Sequence, residues 1–139
     1  MKTDPIFVPY GIAALAKQKG FDEACGAYYS NWVSEEPFLL TCEVGKEVKD
    51  SQERRKNYMV SAPAYFQLMN WLREHHYEVT IHTESNVNEI LGYTYQIYSP
   101  MSWPIHRVTG YPEDPGHWDY FGTCNEALAI ALSALPDKI

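Results

Sequence analysis

The adjacent pair His75 and His76, in the stretch "WLREHHYEVTIH", is the first place in this chain to look for chemistry. Imidazole ligates metals and changes charge near neutral pH. Neighbouring residues on a helix point about 100° apart, so the two rings are badly placed to chelate one ion. Glu78 and His82 share a face of the strand that follows, yet four residues at ~3.3 Å each hold them about 13 Å apart. The spacings H-E-x-x-H, C-x-x-C and E-x-x-H are missing from the chain, which argues against a protein-encoded metal site. A structural role suits His75 and His76 better: they close a helix, where a partly cationic ring meets the negative end of the dipole. The catalytic alternative is a small enzyme whose pocket is lined by Tyr28, Trp71, His75 or His76.

Three cysteines, Cys25, Cys42 and Cys124, stand far apart. Such a sparse, odd set fits reduced thiols in a cytoplasm rather than a disulfide framework. Asp22 and Glu23 would raise the pKa of Cys25, the wrong direction for a nucleophile. Cys124 falls near a helix start, which favours a thiolate, but no base lies near it in sequence. Glu35 and Glu36 are neighbours in an acidic turn and point apart, unlike the paired carboxylates of glycosidases. No G-x-S-x-G, phosphate-binding glycine loop or dinucleotide fingerprint occurs, so no cofactor is implied.

The aromatic residues are the remaining signal. Eleven Tyr and four Trp are a heavy load for 139 residues. Tyr and Trp are enriched at interface hot spots. They also stack nucleic-acid bases, but base-stacking proteins add a positive groove. A net charge of −7 does not supply one. The residues chosen as a contact surface are Trp103, Tyr111 and Trp118, together with Ile130 and Ala134 on the closing helix.

These side chains need elements to position them. The length favours one domain, residues 1–139. Asp4, Pro5 and Pro9 interrupt the N-terminus, so it does not read as a signal peptide. No run approaches the roughly 18 apolar residues of a membrane span. Around Pro9, the residues Val8, Ile12, Leu15 and Ala16 recur at helical spacing until Gly20 stops the helix. "CGAYYSNWV" and "FLLTCEV" read as a hairpin around the acidic break "SEEP". Residues 45–57 carry mixed charge and read as an exposed loop. A second helix starts at Ala62 or Pro63, with Tyr65, Leu68, Met69, Leu72 and His76 along one side. "YEVTIHTE" alternates as a half-buried strand and pairs with "GYTYQIYS". The order suggests an internal αββ repeat, residues 6–44 and 61–98.

Residues 99–118 hold four prolines and two tryptophans. They are either a long irregular functional loop or a strand around Ile105–Val108 flanked by turns. The closing helix reads as starting at Thr123, with Thr123 and Glu126 as a capping box. Leu128, Ala131, Leu132 and Leu135 form its apolar stripe. The opposite side is polar only at Glu126 and Ser133, so a cover is expected: the aromatic segment or a second subunit.

The stretches "VPYGIAALAKQKGFDEACGAYY", "APAYFQLMNWLREHHY" and "NEALAIAL" resemble a family of small uncharacterised proteins of gut Bacteroidetes genomes and their phages or prophages. The matching positions include Pro9, Tyr10, Gly20, Phe21, Asp22, Glu23, Cys25, Ala62, Pro63, Tyr65, Trp71, Arg73, Glu74, Glu126 and Ala127. Gly11 stands where the family has Glu, and Ala24 where it has Pro. The likeness covers about half of the chain and consists of caps and helix faces. It implies a bacterial or phage origin in a cytoplasm, and no activity.

The combined expectation is an α+β domain in the order α-β-β-α-β-β-α. A mostly antiparallel sheet of about four strands carries three helices on one face. The expected function is a non-catalytic protein-binding or assembly module, a homodimer or a binder of a host or phage protein. Nucleic acid and membrane are not expected partners.

Overall fold

A computed structural model describes residues 6–30, 37–42, 59–85, 90–99, 106–110 and 119–137. The fold is α+β, with three helices and six strands among the described residues. Residue contacts divide the chain into two compact units, residues 1–68 with 135–139, and residues 69–134. The single four-stranded sheet expected from the sequence is corrected to two antiparallel sheets of three strands each.

In the first unit α1 (Tyr10–Gln18) buries Ile12, Ala13 and Ala16. Pro9 is its N-cap, in extended conformation, so the proline precedes the first turn rather than sitting in it. Gly20 ends the helix at φ +100°. The Gly20 N–H donates to the Lys17 carbonyl and the Phe21 N–H to the Ala16 carbonyl. That pair of bonds is a Schellman closure, and buried Phe21 and Ala16 provide its apolar contact. The Lys19 ammonium reaches the Leu135 carbonyl at 2.7 Å and the Asp137 carboxylate at 2.7 Å, tying residues 135–137 to the helix end.

The first sheet is built from β1 (Ala27–Ser30), β2 (Phe38–Thr41) and β3 (Met59–Ser61), in the order β2-β1-β3. The hairpin expected from the sequence is present, with Tyr28 opposite Leu40 and Tyr29 opposite Leu39. β3 was not expected: three residues show no periodicity, and only pairing with the far side of β1 makes them a strand. Before the helices, Phe7 bridges Ala64, with Val8 N–H on the Pro63 carbonyl and Tyr65 N–H on the Ile6 carbonyl.

The residues of α2 (Tyr65–Glu74) are divided between the units. Leu68, Trp71 and Leu72 are buried, while Phe66 is exposed. The helix starts two or three residues later than its apolar pattern suggests. It ends in the same closure as α1: His76 N–H to Arg73 carbonyl and Tyr77 N–H to Leu72 carbonyl.

In the second unit β4 (Glu78–Ser85), β5 (Ile90–Ser99) and β6 (His106–Gly110) form a sheet in that order. The expected pairing of β4 with β5 is present, Val79 opposite Ile97 and Ile81 opposite Tyr95. β6 supplies the strand that was one of two readings for residues 99–118; residues 100–105 and 111–118 lie outside the described residues. α3 (Tyr120–Ala134) packs against β4 and β5. The observed order is therefore α-β-β-β-α-β-β-β-α. Each helix–hairpin half gains a third strand, but it joins the first strand of one hairpin and the second strand of the other.

Among the described residues no helix is long and apolar enough to cross a membrane.

Candidate functional site

The structure brings Trp71 and His75 together at the end of α2. Their rings lie 4.1 Å apart between centroids, tilted by 36°. His75 Nδ1 is 2.9 Å from the Trp71 carbonyl oxygen. A carbonyl only accepts, so Nδ1 carries the proton of this bond. His76 is exposed and occupies the left-handed position of the helix closure at φ +69°. Both histidines lie at the end of the helix, where the sequence placed them, His75 through a ring bond to a carbonyl and His76 through its backbone turn. Tyr28 lies half-buried on β1, in the other unit.

The β4–β5 face carries an open hollow of about 320 Å³ lined by Glu78, Thr80, Gln96 and Tyr98. Glu78 is held by Arg73 through two oxygens, at 2.9 and 3.2 Å, and this pairing holds the Arg73 guanidinium above its ordinary pKa. His82 Nε2 lies 3.2 Å from the Thr80 hydroxyl. Among the described residues no cluster of three His, Cys, Asp or Glu side chains could hold a metal ion.

The proposed contact residues Trp103, Tyr111 and Trp118 lie outside the described residues. Ile130 is half-buried and Ala134 is exposed. α3 buries Thr123, Cys124, Ala127, Leu128, Ala131 and Leu132. From Phe121 to Leu132 every residue is at least half-buried, so the apolar back of this helix is largely out of water.

The start of α3 corrects the expected capping box. Asp119 is the cap: its Oδ1 accepts the Gly122 N–H at 2.7 Å. Thr123 is wholly buried one turn inside, and its hydroxyl donates to the Asp119 carbonyl at 2.8 Å. The shift also removes the helix-terminal argument for Cys124, now a full turn into the helix. Burial pushes its thiol up to about 11, outweighing the hydrogen bond with Tyr120. No disulfide joins the three cysteines; Cys25 and Cys124 are buried and Cys42 is half-buried.

Among the described residues a run of exposed apolar side chains falls on β2, which sequence reasoning treated only as one arm of a hairpin. All four of its residues are exposed: Phe38 at 38%, Leu39 at 42%, Leu40 at 36%, and Thr41. β2 is the edge of its sheet among the described strands. Cys42 N–H donates to the Gly26 carbonyl at 2.8 Å, and Gly26 stands opposite Cys42 in the β1–β2 register. Antiparallel ladders alternate bonded and non-bonded pairs. Leu40 and Phe38 therefore direct their main chain toward β1, while Leu39 and Thr41 direct theirs outward. On β1 the Ala27 carbonyl accepts from Ala62 on the β3 side, consistent with that alternation.

Side chains opposite one another across a ladder share a face. Leu39 stands opposite Tyr29, and Tyr29 opposite Val60. Tyr10 sits edge-on to Tyr29 at 5.6 Å. The Tyr29 hydroxyl donates to the Val8 carbonyl at 2.7 Å, and burial pushes its pKa up. An apolar row thus runs from the open edge across the sheet to α1. A signal for it existed in the sequence: Pro37 directly precedes β2, and proline marks edge strands.

No protein-family model, curated protein or solved structure matches this chain.

Proposed function

We propose that this protein is a non-catalytic protein-binding or assembly module that works as a homodimer in a bacterial or phage-encoded cytoplasmic setting. The observation that supports this reading is β2: an uncharged strand at the edge of its sheet among the described strands, with three large apolar side chains each more than a third exposed. Edges of monomeric sheets are commonly blunted by lysines, bulges or covering elements, because bare ones pair with other chains. Residues 37–42 carry no charge at all. An odd, sparse set of three cysteines is compatible with a reducing compartment.

The histidines favour association over catalysis. His75 is spent on its own helix carbonyl and on stacking with Trp71, and His76 on a backbone turn.

The test is the mass in solution by light scattering on the full chain, at concentrations on the order of 100 µM, since association is a mass-action effect. Twice the chain mass of 16.0 kDa is the expected result. A strictly monomeric protein at that concentration refutes the homodimer.

A further inference from the structure

We draw no further inference here: the strongest candidate, the open hollow of about 320 Å³ on the β4–β5 face lined by Glu78, Thr80, Gln96 and Tyr98, carries nothing, because Glu78 is already held by Arg73 and nothing among the described residues shows what would fill it.

Discussion

His76 holds a backbone conformation that its own side chain opposes. At φ +69° it occupies the left-handed turn that ends α2, the place glycine takes in the matching turn after α1. The left-handed conformation costs an L-residue roughly 1–2 kcal/mol, and histidine falls toward the low end because it enters this region more readily than most. His76 is exposed, so replacing it loses little packing. His76→Gly relieves about 1 kcal/mol of strain and costs ~0.4–1 kcal/mol of extra freedom in the unfolded chain. The net expectation is a change between about zero and a gain of ~0.6 kcal/mol, at most ~2–3 °C in the unfolding midpoint. Urea unfolding followed by circular dichroism measures it directly. The reciprocal change, Gly20→Ala at φ +100°, should cost at least ~1 kcal/mol in the same assay. If His76→Gly destabilises while Gly20→Ala is silent, the paired-closure argument is wrong.

The remaining expectations are smaller in scope. Asp119→Ala should cost about 1 kcal/mol by removing the cap on the Gly122 N–H, read from the shift in denaturation midpoint; a silent result returns the cap to Thr123. At mildly alkaline pH a thiol reagent should label Cys42 well before Cys25 and Cys124, and mass spectrometry of timed samples ranks them. Because the Cys124 thiol is raised in the folded state to about 11, the unfolded chain ionises first, and stability should fall as pH rises from about 9 toward 11. Cys124→Ser should shrink that alkaline loss. The Asp137 carboxylate is held below its ordinary range by the Lys19 ammonium and the Gln18 amide. Its contact is thus present above the usual carboxylate range and lost as pH falls through the depressed value. A carboxyl NMR titration should show the depression shrink in Lys19→Ala, with the Gln18 contribution remaining.

Much of the architecture follows from local chemistry. Pro9 and Gly20 bracket α1, and the turn after Glu74 ends α2. The alternation in "YEVTIHTE" sets β4, and an aromatic alternating run sets β5. Each signal acts within a few residues, where dihedral preference and side-chain spacing suffice. Closure of a helix by His75 and His76 was legible for the same reason.

What the tertiary structure decided depends on partners distant in sequence. β3 is a strand only because β1 offers it an edge, and β6 only because β5 does. α3 begins a turn earlier than its sequence suggested, with Asp119 as cap, and its buried face extends back to Thr123 and Cys124. Cys124 is unreactive through burial, which outweighs its hydrogen bond with Tyr120. Most of all, "FLLT" has the same composition whether a strand lies at the centre of a sheet or at its rim. Its sequence sets two alternating faces and an apolar character; only the placement of β1 between β2 and β3 makes β2 an edge among the described strands. Hydrogen-bonding edges belong to the assembled sheet, since a main-chain N–H is satisfied or bare according to which strand comes to lie beside it.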